Sequence, residues 1–572
     1  MTHARAAAGA TASSRNPTPG HDAAPPQGVA SSQHEPLTIG HVVAVGGSRV
    51  AGVLLAPGSA KGASEAFQSA TQLGAIVKIA TPRSLAFGIV NGLSIPHPST
   101  PPSAKDQRQI EIELFGEALL EPAHIEGFSS LNFARGVSVF PTLGQPILAA
   151  TREDLAQVYA VPEASNVRVG AIFQDPTIPA HVVTDRLLGQ HFAVLGTSGS
   201  GKSCSVALIL NSVLTAHPNG HVLLLDPHNE YPVAFAGSAE IVNTANLQIP
   251  YWLMSFDEAR ACMVSQTGST WESEIAILKE AILDAKLRFA GETDENSYIT
   301  VDTPVPYRLS DVIKFVDDAA GRLNKPDNSI PYLRLKTRIE TLRDDKRFAF
   351  MFGGSIVRDS MAEVIGRLLR IPVRGRPITI VDLSGVPSEI VDVVVSVLVR
   401  MIFDFAVWSE RTAAVPTLLV CEEAHRYIPR EESTAFGPTR RSIAQIAKEG
   451  RKYGVSLCLV SQRPSEISET ILSQCNTIFA LRLSNDRDQE FVARALPESA
   501  RGFLGSLPAL RTQEAIVVGE GVTLPMRILL DDLPADSRPR SETLPFSTSW
   551  QQDSADSGIV ARTIDRWRRQ TR

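Results

Sequence analysis

With 572 residues and a formal net charge of −6, the chain is too long for a single hydrophobic core and too acidic to be coated in basic residues. Two or three domains are expected, and any nucleic-acid contact must be local. Five separated cysteines, Cys204, Cys262, Cys421, Cys458 and Cys475, have neither CxxC nor His-Cys spacing, which argues against a zinc site and fits reduced, buried thiols in the cytoplasm.

Residues 1–36 are rich in Ala, Ser, Pro and Gly. They contain neither a signal-peptide core nor enough large apolar residues to pack, so a disordered tail is expected. From Leu37 the texture changes to short β runs punctuated by glycine and proline: "HVVAVGGSRVAGVLLA", "GAIVKIAT", "LAFGIVNGLSI" and "IEIELFGEAL". This pattern predicts a small β-barrel or sandwich over 37–165.

From residue 166 strands and helices alternate. "HFAVLG", "GHVLLLD", "PITIVDL", "TLLVC" and "VSLCLVSQ" are continuous apolar runs, as expected of strands buried on both faces of a parallel sheet. An α/β core over 166–533 follows. A helical insertion is expected over about 255–350, where Ile275, Leu278, Ile282 and Ala285 share one helix face. The most membrane-like stretch, Val393 to Trp408, is interrupted by Arg400 and Asp404 and is shorter than the ~20 residues of a span, so it reads as a buried helix. Residues 534–572 thin out and end in an arginine-bearing segment with Trp567.

"GTSGSGKS" matches GxxxxGK[ST] and lies between an apolar strand and an amphipathic helix, the context a phosphate-binding loop requires. Gly196, Thr197, Ser198, Gly199, Ser200 and Gly201 would curl backbone N–H groups around phosphate oxygens. Lys202 would reach the β- and γ-phosphates of ATP, Ser203 would hold Mg²⁺, and Cys204 completes the expected nucleotide-binding set. Farther on, the strand "LLVC" runs into two adjacent carboxylates, Glu422 and Glu423. Successive residues at a strand end point in different directions, so Glu422 can face the metal while Glu423 polarises the attacking water. The plain alternative is a salt-bridged pair using Arg426 or Arg430. Asp382 in "TIVDLSGVP" and Asp226 in "LLLDPHNEY", with Glu230 four residues on, lack an adjacent second carboxylate. They are either outer groups of the site or strand-end caps.

These motifs in their order, "HFAVLGTSGSGKS", "LLLDPHNEY", "VDLSGVP", "CEEAHRYIP", "IAKEGRKYGVSLCLVSQRPSEI" and "LSQCNTIFALRL", resemble the HerA family of hexameric DNA-translocating ATPases, within the larger group that includes the FtsK translocases. The resemblance runs from about Leu37 to near Leu533. It implies a multidomain chain: an N-terminal β-barrel for assembly and partner docking, a RecA-like P-loop core with a helical insertion, and a C-terminal arm at 534–572 that braces a neighbouring subunit. It makes Glu423 the catalytic base and puts Glu422 where the family usually has Asp. It adds Gln462 as a γ-phosphate sensor and Arg451, with Lys452 as runner-up, as an arginine finger reaching the neighbour's ATP.

The polar segment "RYIPREESTAFGPTRRS" carries Arg430, Arg440 and Arg441. Read as a loop facing a ring's pore, it would place positive charge on a phosphate backbone without reading bases. Glu431 and Glu432 support the alternative of a neutralised surface loop. No nuclease-like carboxylate cluster or nucleophile–histidine arrangement appears in the sequence. The expected function is therefore an ATP-dependent translocase or helicase on double-stranded DNA, a cytoplasmic homohexamer with no membrane anchor. Resemblance supplies the partner class, a nuclease or an NAD-consuming defence effector. The competing expectation is a ring scaffold that activates an effector and uses ATP as a switch.

Overall fold

The computed structural model describes residues 37–55, 67–96, 107–119, 133–246, 248–264, 270–291, 297–322, 326–353, 357–431, 437–495, 498–540, 546–551 and 558–568. The tail expected over 1–36 lies outside the described residues.

The alternating, glycine-punctuated runs form seven antiparallel strands: β1 (Thr38–Gly46), β2 (Arg49–Leu54), β3 (Ile76–Ala80), β4 (Ser84–Ser94), β5 (Gln109–Leu119), β6 (Phe133–Arg135) and β7 (Pro146–Ala149). Their pairing order is β2-β1-β7-β3-β4-β5, and β5 also pairs with β2. The six strands therefore close into a small barrel, which removes the exposed edges that an open sheet would leave. Ile39, Val50, Val77, Ile79, Ile110 and Ile147 fill it. Glu113 on β5 is buried and accepts a hydrogen bond from Ser48 Oγ at 2.6 Å, because strands flank β5 on both sides.

The remaining strands are β8 (Asn166–Ile172), β9 (Pro179–Val183), β10 (His191–Leu195), β11 (His221–Asp226), β12 (Ala239–Val242), β13 (Ile378–Asp382), β14 (Thr417–Cys421), β15 (Val455–Ser461), β16 (Cys475–Ala480), β17 (Glu514–Gly519) and β18 (Met526–Leu530). They make one sheet in the order β12-β13-β11-β14-β15-β10-β16-β17-β18-β8-β9. The block from β12 to β16 is parallel, and the rest is an antiparallel flank. The five apolar runs singled out in the sequence are β10, β11, β13, β14 and β15, adjacent members of the parallel block. Arg135 on β6 donates to the carbonyls of Gly519, Val522 and Thr523 in the β17–β18 turn, tying the barrel to this flank.

Three long helices, Trp271–Ala290, Leu309–Gly321 and Ile330–Asp344, lie between β12 and β13. The first buries Ile277, Leu278, Ala281, Ile282 and Ala285; Ile275 is only partly buried at the margin of that face. The same face carries Lys286, whose Nζ donates to the carbonyls of Val301 (2.6 Å) and Thr303 (2.7 Å). The membrane-like stretch is the helix Val391–Trp408. Arg400 donates to buried Glu258 at 2.9 Å and pairs with Asp404 at 3.0 Å. No helix among the described residues is long and apolar enough to cross a membrane.

Candidate functional site

β10 is buried throughout and delivers the chain to the loop at 196–201. Gly199 (φ +72°) and Gly201 (φ +99°) sit in the left-handed region, which side chains with a Cβ rarely enter. Ser200 Oγ donates to Thr197 O at 2.7 Å and Thr197 N donates to Arg482 O at 2.9 Å, so the loop is held from within and from the end of β16. The helix Lys202–Ala216 begins immediately after Gly201. Lys202 is buried and its Nζ donates to Thr197 O at 3.1 Å. Burial pushes its ammonium below the ordinary lysine value, and the carboxylates of Glu422, Glu423 and Glu230 oppose that shift.

β15 lies between β10 and β14, so Gln462, just past its end, stands beside both the phosphate loop and the two-glutamate strand. Gln462 Nε2 donates to Glu423 Oε1 at 2.6 Å. Glu423 adopts φ +51°, ψ 46°, a left-handed conformation uncommon for a non-glycine residue and typical of strained functional positions. It is buried, and its Oε2 has no hydrogen-bond partner among the described residues. His425 Nδ1 is 3.2 Å from that oxygen and 3.2 Å from Ser461 Oγ, with which it makes its hydrogen bond. Burial pushes the imidazole below its ordinary value while Glu423 opposes the shift.

Glu422 turns the other way, as the strand-end geometry predicts. Its Oε2 accepts from Tyr231 Oη at 2.8 Å. Burial raises its carboxyl to about 8; the Tyr231 bond and Lys202 oppose this, and repulsion from Glu423 and Glu230 adds to it. Neither carboxylate pairs with Arg426 or Arg430 in the ion pairs of the described residues. Asp226 and Asp382 both cap backbone: Asp226 accepts from the N–H groups of His228 and Tyr231, and Asp382 from that of Ser384.

The family model for the central domain of helicase HerA matches residues 167–402. The DNA double-strand break repair helicase HerA of Pyrococcus furiosus is 25% identical over 507 residues, covering 81% of this chain and 86% of its own. The corresponding protein of Sulfurisphaera tokodaii is 27% identical over 401 residues, 68% of this chain and 74% of its own. Over most of its length the chain is similar to HerA helicases. Among solved structures, VirB4 of Thermoanaerobacter pseudethanolicus aligns with 66% of this chain and 99% of its own at 17% identity and a TM-score of 0.47. The conjugative coupling protein TrwB aligns with 66% and 92% at 16% identity and a TM-score of 0.44.

In this ATPase, Tyr231, which sequence reasoning passed over, and Glu230, which it noted only beside Asp226, stand at the site. Tyr231 holds Glu422, and Glu230 Oε2 accepts from Ser203 Oγ at 2.7 Å. The motif "DPHNEY" was the available signal, although nothing in its spacing assigns either contact. A cavity of about 200 Å³ opens beside Gly201, Cys204 and Ser205, closed by Thr512, Gln513 and Arg538. Arg451 and Lys452 are exposed at the end of the helix Gly437–Tyr453, away from any ion pair recorded among the described residues.

The polar segment expected to be a loop through Arg441 is helical from Gly437 onward, because Ile443, Ile446, Ala447 and Gly450 give that stretch a buried face. Arg440 and Arg441 therefore project from a helix. Arg441 pairs with Asp257 at 2.9 Å, and Arg440 is half-buried with an interaction of its own. Arg430 is exposed and its guanidinium lies 5.9 Å from the centre of the Phe491 ring. Residues 432–436 lie outside the described residues.

Proposed function

We propose that this protein is an ATP- and Mg²⁺-dependent translocase or helicase on double-stranded DNA, acting in the cytoplasm as a homohexameric ring with a nuclease or NAD-consuming effector as partner. The observation that carries the reading is the orphaned Oε2 of Glu423. A buried carboxylate oxygen without a donor is costly, and a water molecule donating to it would stand where a nucleophile is needed. Gln462 holds the other oxygen and so sets which lone pairs face that water. The similarity of most of this chain to DNA double-strand break repair helicases supports the DNA substrate.

Lys202 and the N–H groups of 196–203 would bind and orient the β- and γ-phosphates, with the nucleoside in the cavity beside Cys204. The oxygen donors Ser203 and Glu422 suit a hard cation, which when bound neutralises phosphate charge. Gln462 would exchange its bond to Glu423 for the γ-phosphate, and Arg451 would supply positive charge to a neighbour's site in the ring. The barrel at 37–165 is assigned to assembly and partner docking, 166–533 to the RecA-like motor, with an insertion at about 255–350, and 534–572 to a bracing arm. Arg430 is the freest of the three proposed DNA contacts.

The test is steady-state ATP hydrolysis with and without linear duplex DNA, with Glu423→Gln as the blank. A DNA-dependent rise absent from the variant is expected, and the variant should retain nucleotide binding while losing at least about 100-fold in turnover. An assembled ring hydrolysing ATP at a rate indifferent to DNA would favour the effector scaffold.

A further inference from the structure

We propose that Glu230 orients the metal-binding hydroxyl of Ser203, while the acid after β14, Glu422, faces the metal, so that the magnesium shell of this ATPase is built from two strands. The inference rests on the ATP and Mg²⁺ reading above. A serine hydroxyl has one proton and two lone pairs. Donating that proton to Glu230 Oε2 at 2.7 Å leaves the lone pairs for a cation and fixes their direction.

The contact is built by the backbone around it. Asp226 at the end of β11 accepts from the N–H groups of His228 (3.2 Å) and Tyr231 (3.0 Å). Asn229 between them takes φ +57°, in the region that Asn tolerates better than most residues. From beyond the sheet, Arg540 N donates to Glu230 O at 2.9 Å. This pinned turn sends two adjacent side chains to two parts of one site: Glu230 to Ser203, and Tyr231 to Glu422.

Glu422 is thus engaged by Tyr231 and is not the residue bonded to Ser203. Its extra methylene relative to aspartate matters less if another carboxylate does the orienting. The buried Oε2 of Glu423, which accepts no hydrogen bond among the described residues and has His425 Nδ1 at 3.2 Å, is a further sign that the pocket receives a ligand shell. Glu230, Glu422 and Glu423 all act on the one Lys202, a gathering of oxygen donors that suits a divalent cation. A mere surface cap would leave cation binding untouched.

The test uses the full chain and a ribose-labelled fluorescent ADP, bound first in EDTA and then titrated with Mg²⁺, so that hydrolysis is not the readout. Glu230→Ala is expected to leave binding in EDTA undiminished and to raise the half-saturating Mg²⁺ about tenfold, the low end of the loss when an outer partner of a metal ligand is removed. Glu230→Gln, which keeps the shape and an acceptor oxygen, should recover part of that loss, and it keeps the test available should the alanine variant misfold. A half-saturating Mg²⁺ within about twofold of wild type for Glu230→Ala would overturn the proposal, as would a glutamine variant no better than alanine or an equal loss in EDTA. Wild type failing to bind labelled ADP under any condition would instead remove the nucleotide reading beneath it.

Discussion

Lys202 has a charge that burial disfavours and three carboxylates that only partly oppose that effect. Its place in the motif made it a phosphate ligand on sequence grounds, and the geometry adds that it already lies buried against Thr197 O. Lys202→Ala should abolish ATP-dependent activity while the barrel stays folded. Nucleotide binding and circular dichroism measure the two halves of that statement, and undiminished hydrolysis would remove the phosphate-site assignment. Other roles were hidden at this scale: Glu422 meets Tyr231 across 191 residues of chain, a separation over which no spacing rule operates.

Individual elements were legible where periodicity was strong. The parallel strands were readable because burial on both faces requires continuous apolar runs; the antiparallel flank β17–β18 and β8–β9 was not enumerated from that texture. Gly437–Tyr453 was misread in its first turns because arginines, proline and glycine obscure a spacing of i, i+3, i+4 and i+7 at Ile443, Ile446, Ala447 and Gly450. The insertion helix has a pH dependence that its sequence conceals. Burial lowers Lys286 to about 8, below the ~10.4 of a solvated lysine. Between those values the unfolded chain binds more protons than the folded one, so this site's contribution rises with pH across that window and is smallest below about pH 8. Relative to Lys286→Met, wild type should gain roughly 2 kcal/mol between pH 7.5 and pH 10. Thermal midpoints of both proteins across that range measure it; a constant gap would mean that Lys286 titrates normally.

At the scale of the whole molecule, Arg451 separates a solitary ATPase from a ring. It is exposed at a helix end with Lys452 beside it, where a basic residue is already favoured by the helix dipole; that account needs no second subunit. A finger acting in trans predicts something else. Arg451→Ala and Lys202→Ala subunits, each inactive alone, should regain part of the wild-type hydrolysis when mixed, because some interfaces then pair an intact finger with an intact phosphate site. Absence of recovery at every mixing ratio would assign Arg451 to the surface.

Residue order alone determined the phosphate loop, the paired acids at a strand end and the change from β to α/β texture, because each is written in local spacing: glycines that permit a loop, runs that match a sheet, a motif no longer than a turn. Tertiary structure decided that β2 meets β5 to close the barrel, that Gln462 grips Glu423, and that Glu230 stands at Ser203. Those contacts join residues 27 to more than 60 positions apart, or 39 in the case of Gln462. They depend on strand order within a sheet and on the path of a pinned turn, which local propensity does not encode.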